Sequence, residues 1–342
     1  MSKLLAVIII LIFLTSACEP AATVVPPTVT MLPQPTILPT ASPDTISMLP
    51  TATHSPTVVA AIPGSPTPTT NYTRFHGPYF GQTKPGSSPT IFARELISGE
   101  LHTPPVFTPD GSEAYWGMQG DGIYMTRLEN GYWTRPERVT FSASMTDYRD
   151  PFLAPSGERL FFLSKGIIPN SELPEKENIW FVERTATGWG EPAPVSEEIN
   201  SHELHWQVSV NNNGDLYFTS RNTGCEDLYF SRYVDGQYIT PERLSASVNT
   251  DDLCETTPYI APDGSYLIFS RWDRNNSNAP SRLYISYAIN AGGWTQAVLI
   301  PRIWYGLCPL VSPDGMYLFF LSSPESVSWM TTEFIEELKP SG

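Results

Sequence analysis

"ETTPYIAPDGSYLIFSR", residues 255–271, places apolar residues on both sides of a Pro-Asp-Gly turn and reads as two short β-strands joined tightly. Aligned on the turn glycine it has four siblings: "HTPPVFTPDG" to Gly111, "YRDPFLAPSG" to Gly157, "HWQVSVNNNG" to Gly214 and "GLCPLVSPDG" to Gly315. With Gly264 in the quoted copy, the intervals are 46, 57, 50 and 51 residues. Each phrase is followed by an apolar strand ("RLFFLS", "LYFTSR") and then by a third ("NIWFVER", "DLYFSRY", "RLYISYA"). A fourth usually comes after a Gly and an aromatic ("GYWTRPERV", "GQYITPERL"). Four strands in a unit of about fifty residues form the pattern of a propeller blade, a small antiparallel sheet packed face to face with its neighbours. Asp-Gly is expected to supply the positive φ angles of the hairpin turn, with proline setting its first residue. Five copies in register make a two-sheet sandwich a poor alternative.

Five inner hairpins predict an all-β, five-bladed propeller of four-stranded antiparallel blades over residues 71–342. The last unit stops after its third strand, "SVSWMTTEFIEEL", while "SPTIFARELIS", residues 88–98, precedes the first hairpin with the character of a fourth strand. Pairing the two closes the ring and leaves no exposed edge. The 57-residue interval is too short to hide a sixth unit. Only "TTEFIEELKP" has helical character.

The phrases resemble the PDG-type WD40-like repeats of TolB-like propellers and of many bacterial envelope proteins. The matching elements are "W-x-x-P" ahead of "INS" or "VNT", then "P-x-(I/V)-(A/S)-P-D-G", then "F-S-R", over roughly residues 88 to 336. The resemblance implies a scaffold and leaves function open.

Ahead of the repeats, Lys3, an apolar run from Leu4 to Leu14 and small residues up to Cys18 read as an export signal over 1–17, too short to span a bilayer. "LTSAC" resembles the lipobox of bacterial lipoproteins, which implies lipidation of Cys18 and a membrane-anchored protein on the extracytoplasmic side. An ordinary signal peptide is the alternative. Residues 18–70 are dominated by Pro and Thr and lack Lys and Arg. They are expected to stay unfolded as a semi-stiff linker, with a reach on the order of 150 Å and a composition that also suits O-glycosylation. A net charge of −15 argues against nucleic acid, whose phosphates need clustered Lys and Arg.

In a propeller the loops entering the innermost strands converge on one mouth of the channel, so the residues nine to seven places before each turn glycine are the candidate site. These include His102, Arg149, Asp150, His205, Trp206 and Glu255, joined by Arg221 and Arg271 at the ends of second strands. This mixture suits a small polar ligand, a sugar or a peptide end. The plainer reading is that Arg221 and Arg271 are held by carboxylates such as Glu255 and tie blades together. Beyond Cys18, a Cys225–Cys254 bridge is plausible, with Cys254–Cys308 as competitor and no bridge as the remainder. No Cys-x-x-Cys spacing is present, and no metal or cofactor is expected.

The predicted function is a binding or scaffolding module, monomeric, for a protein, peptide or glycan at the channel mouth. The alternative is a glycoside hydrolase using Asp150 and Glu255 as its acid pair, with Glu203 a weak third carboxylate. No Gly-x-Ser-x-Gly elbow or His-Glu-x-x-His helix points to a peptidase.

Overall fold

Each inner hairpin turns at a glycine in the left-handed region: Gly111, Gly157, Gly214, Gly264 and Gly315 have φ of 69°, 77°, 86°, 75° and 74° in this computed structural model. The aspartates before them do not share that conformation. Gly111 N donates to Thr108 O, Gly264 N to Ala261 O and Gly315 N to Ser312 O, each at 2.8 Å, which closes a three-residue step begun by proline. Proline presets φ near −65°, so the turn starts in the right-handed region and only its last residue needs glycine. The aspartates instead accept from the amide two residues on: Asp110 from Ser112, Asp263 from Ser265 and Asp314 from Met316, each at 3.0 Å.

The structure describes residues 74–341 apart from 144, 169–170, 172–175, 277 and 291. The export signal over 1–17, Cys18 and the Pro/Thr linker lie outside the described residues. Among the described residues no helix is long and apolar enough to cross a membrane.

Five antiparallel sheets follow in chain order. Blade 1 holds Val106–Phe107, Glu113–Met118 and Gly122–Glu129, with outer pieces Tyr132–Trp133 and Glu137–Arg138. Blade 2 holds Arg149–Leu153, Arg159–Ser164 and Asn178–Thr185, with Gly188–Trp189 and Ala193–Pro194 outside. Blade 3 holds Ser209–Val210, Leu216–Ser220, Asp227–Ser231 and Glu242–Arg243. Blade 4 holds Cys254–Ile260, Tyr266–Trp272, Arg282–Tyr287 and Val298–Leu299. Blade 5 has three strands of its own, Leu307–Val311, Tyr317–Ser323 and Ser326–Thr331, and takes its fourth, Thr90–Ile91, from the start of the domain. Thr90 lies opposite Trp329 and Ile91 opposite Ser328, the closure expected from the sequence.

That closing strand is shorter than the stretch 88–98 suggested. After Ile91 the chain turns inward: Ala93 has φ of 43°, and its carbonyl accepts from Leu96 N and Ile97 N at 2.9 and 2.8 Å. The turn lets Phe92 enter the seam between blades 5 and 1, where its ring centroid lies 4.9 Å from those of Phe319 and Trp329. A strap, "HGPYFGQ", completes the seam, with Tyr79 and Phe80 both left-handed at φ of 48° and 59°. Its Phe80 ring meets Trp133 at 4.7 Å, and Trp133 Nε1 donates to Gly77 O at 2.8 Å. The helical end is a single turn, Phe334–Glu337.

Three inner strands, and the loop entering a fourth, carry a non-glycine residue in the left-handed region. In blades 2, 4 and 5 it is Asp150, Thr257 and Cys308, with φ of 50°, 52° and 53°, each followed by proline at a shift of register. In blade 3 it is Trp206, at 60°. Near the start of the inner strands each blade has one deeply buried residue, Thr103, Asp150, Gln207, Thr257 and Cys308, none more than 1 % exposed. Gln207 Nε2 donates to Pro258 O and Pro309 O at 3.3 and 3.0 Å. Blades 3 and 5 are not adjacent, so that contact crosses the centre. Cys308 N donates to Thr257 Oγ1 at 3.2 Å and Cys308 Sγ to His102 O at 3.4 Å, carrying the circuit on to blade 1.

Phe92→Ala is expected to cost about 3–5 kcal/mol, because a large ring leaves a close-packed seam. Ile91→Ala, at the neighbouring residue but with Ile91 48 % exposed, is expected to cost under about 1 kcal/mol. Equilibrium urea unfolding of the two variants checks the difference.

Candidate functional site

The loops entering the inner strands and those joining second to third strands surround one mouth. Along its blade 2 and 3 lip the charged side chains form an unbroken chain. Arg149 donates from Nε to Asp147 at 2.9 Å and from Nη1 to Glu177 at 3.1 Å. His205 bridges the blades, with Nδ1 3.6 Å from Glu177 Oε2 and Nε2 3.8 Å from Glu226 Oε1. Arg221 donates to Glu226 Oε1 from Nε and Nη2 at 3.0 and 2.7 Å, and Trp272 Nε1 of blade 4 donates to Glu226 Oε2 at 2.6 Å. Burial alone would raise the Glu177 carboxyl, but the hydrogen bond and charge of His205 and the charge of Arg149 hold it below its usual range.

Inside this lip lies a pocket of about 250 Å³. Trp206, Trp272 and Leu307 give it apolar walls, while His205, Arg221 and Glu226 supply polar groups. Trp206 stands between two imidazoles, its ring centroid 5.6 Å from His102 and 5.3 Å from His205. The Trp272 indole is oriented by its bond to Glu226. Few polar groups on mostly apolar walls is the usual make-up of a small-ligand site.

Of the residues singled out in the sequence, His205, Trp206 and Arg221 line this pocket, while His102 adjoins it through Trp206 and Arg149 through Glu177. Glu255 and Arg271 are not available there: they are 0 % and 7 % exposed, and Arg271 Nε donates to Glu255 Oε1 at 2.7 Å. The two residues face each other directly across strands of blade 4. Thr250 adds donors at 3.2 and 2.9 Å, and Arg271 Nη2 donates to Val248 O at 2.8 Å, tying blade 4 to the loop before it. The bulge that turns this strand toward the axis comes at Thr257, two places too late to expose Glu255. Burial pushes the Glu255 carboxyl up to about 7 against the opposing pull of Arg271. Asp150 is likewise enclosed at 1 % exposure: Oδ1 is bound by His102 Nδ1, and Oδ2 has no hydrogen-bond partner among the described residues. Asp150 and Glu255 therefore do not confront each other across an open pocket, which removes the geometry a two-carboxylate hydrolase needs.

Cys225 and Cys254 are joined by a disulfide, Cα–Cα 5.5 Å, between the loop before the third strand of blade 3 and the start of blade 4. Cys308 is a free, buried thiol, raised well above its ordinary value by burial and by the charge of Asp150. Such a thiol is a poor nucleophile. Among the described residues no group of three or more His, Cys, Asp or Glu side chains is placed to hold a metal.

The site also uses Glu177, Glu226, Trp272 and Ser281, which the sequence reading passed over. Glu177, Glu226 and Ser281 each occupy the position just before a third strand, at Asn178, Asp227 and Arg282. That shared offset is the signal by which they could have been found.

No family model matches this chain, and no curated protein matches it. Among solved structures it is similar to TolB from Acinetobacter baumannii, at 15% identity and a TM-score of 0.43 over 67% of this chain and 54% of that one. The chain thus spans about half the length of that TolB. It is also similar to the gluconolactonase XC5397 from Xanthomonas campestris, at 12% identity and 0.43 over 66% of this chain and 70% of that one. A thermostable family-43 glycoside hydrolase gives 13% and 0.46 over 72% and 91%.

Arg271→Ala removes the opposing pull on Glu255, which drives its carboxyl further up and leaves it buried without its guanidinium partner, so the variant is expected to cost about 3–5 kcal/mol at pH 8. Arg221→Ala is expected to cost under about 1 kcal/mol, since its side chain is 44% exposed. Thermal or urea unfolding separates the two. His102 is raised above its ordinary value, chiefly by the Asp150 charge and against burial. Its contribution to stability is therefore complete below about pH 6.5 and is lost as pH rises through the folded midpoint. Imidazole NMR should place that midpoint above about 6.5, and Asp150→Asn should lower it, because burial then loses its main opponent.

Proposed function

We propose that this chain is an exported, lipid-anchored propeller of the PDG-repeat kind that binds a glycan at the channel mouth. The observation that carries the reading is the pocket between Trp206 and Trp272. Two oriented indoles stand beside hydrogen-bonding groups whose charges already compensate one another along the lip. An aromatic face packs well against the apolar C–H face of a sugar ring, and forked guanidinium and carboxylate groups suit its hydroxyls. Because Arg149, Arg221 and His205 each have an acidic neighbour, the pocket favours an uncharged, polyhydroxylated ring over a free ion.

Export and anchoring rest on the apolar run before Cys18, on "LTSAC" and on the Pro/Thr composition that follows. A disulfide between Cys225 and Cys254 agrees with an oxidising compartment. In this reading the linker holds the propeller away from the membrane, and the closed ring keeps the mouth rigid enough to recognise its ligand without reorganising.

The test is binding of the full chain to a glycan array and, in parallel, to a peptide array. Glycan binding is expected, weakened at least about tenfold by Trp206→Ala, since stacking on an aromatic contributes on the order of 1–2 kcal/mol. Binding confined to the peptide array, or glycan binding unchanged in Trp206→Ala, would falsify the proposal.

A further inference from the structure

The loop from the outer strand of blade 4, Val298–Leu299, to the inner strand of blade 5, Leu307–Val311, carries an indole left open to solvent: Trp304 is 74% exposed. The loop itself is held firmly. Gly306 N donates to Ser281 O at 3.0 Å, and a Cβ at Gly306 would lie 2.5 Å from Leu283 Cγ, so the backbone presses on blade 4 as only glycine permits. Arg282 Nε donates to Ile303 O at 2.9 Å, and its Cζ lies 5.5 Å from the Trp304 ring centroid. The indole thus stands out from a firmly held backbone with a guanidinium beside its ring.

That guanidinium differs from its neighbours. Arg149, Arg221 and Arg271 each hold a carboxylate, whereas Arg282 has none within 4.0 Å among the described residues. Its Nε is already donated to a carbonyl, leaving the outer Nη groups to a ligand. The spot adjoins the pocket described above: Ser281, next to Arg282, and Leu307, three residues after Trp304, both line it. Three residues span at most about 10 Å, so one short chain of sugars reaches from one to the other.

We propose that Trp304 and Arg282 form an outer subsite for a carboxylate-bearing sugar, so that the ligand is an acidic oligosaccharide whose neighbouring ring fills the Trp206–Trp272 pocket. The inference rests on the glycan reading of that pocket. The ring stacks on Trp304 and its carboxylate takes charge-assisted hydrogen bonds from the Arg282 Nη groups. A single sugar cannot occupy both places.

Calorimetric titration of the full chain with oligosaccharides of two to four residues that carry one terminal uronic acid on otherwise neutral rings, with their methyl esters, and with the neutral single sugars, tests this. Acidic trimers are expected to bind about tenfold tighter than their esters, a preference removed by Arg282→Ala and partly kept by Arg282→Lys, which retains charge without the fork. Trp304→Ala is expected to weaken trimers about tenfold and to leave single sugars within about twofold. If acids and esters bind alike, or Trp304→Ala binds trimers unchanged, while Trp206→Ala still abolishes binding of single sugars, the outer subsite is wrong and the pocket stands. Absence of binding by every sugar, or displacement of bound trimer by an acidic peptide, overturns the subsite and the glycan reading together.

Discussion

Blade 5 has only three strands of its own, and the fold depends on how that deficit is met. Thr90–Ile91 supplies the missing edge from the far end of the domain and covers the outer row of amides and carbonyls on Ser326–Thr331. Two residues of ladder are little to hold a ring. The seam behind them is correspondingly aromatic, with Phe80, Phe92, Trp133, Phe319 and Trp329 in mutual contact. Strand pairing fixes register, and the buried rings supply most of the adhesion. Every inner strand owes its place around the axis to this closure, and so does a side chain such as Gln207, which needs its acceptors on blades 4 and 5 at a set distance.

The architecture was legible because it is repetitive. A turn that needs a left-handed residue writes glycine every time, and apolar alternation marks the strands on either side. The count of blades and the orphan fourth strand followed from spacing alone. What the sequence could not show was where each inner strand bulges. Glu255, nine places before its turn glycine, and Asp150, seven before its own, are both enclosed, and the Glu255–Arg271 pair matches the plainer of the two readings the sequence offers. Nor do spacings reveal that a residue just ahead of a third strand, such as Glu226, meets a tryptophan ending the second strand of the next blade. The turn chemistry was partly misread for a local reason: proline commits the first turn residue to the right-handed region, so aspartate does not need to leave it.

The charges at the mouth divide into two kinds of work. Glu255 and Arg271 are sealed within blade 4 and act as structure, along with the disulfide beside them. The chain from Asp147 through Arg149, Glu177, His205 and Glu226 to Arg221 runs from open ends to a largely buried middle at Glu226, and it holds the lip in shape while leaving little net charge on it. Pairs at its open ends contribute little stability individually. Their value is geometric, since each fixes a neighbour that faces the pocket, most clearly Trp272 through Glu226.

Thr103, Asp150, Gln207, Thr257 and Cys308, one from each blade, are all buried near the start of the inner strands. On the far side, near the hairpin turns, a second cavity of about 220 Å³ is lined by apolar residues of all five blades, among them Val106, Phe152, Val210, Tyr259 and Leu310. It shares no lining residue with the pocket at the mouth. The two cavities lie toward opposite ends of the ring, and each is shaped by its own set of side chains.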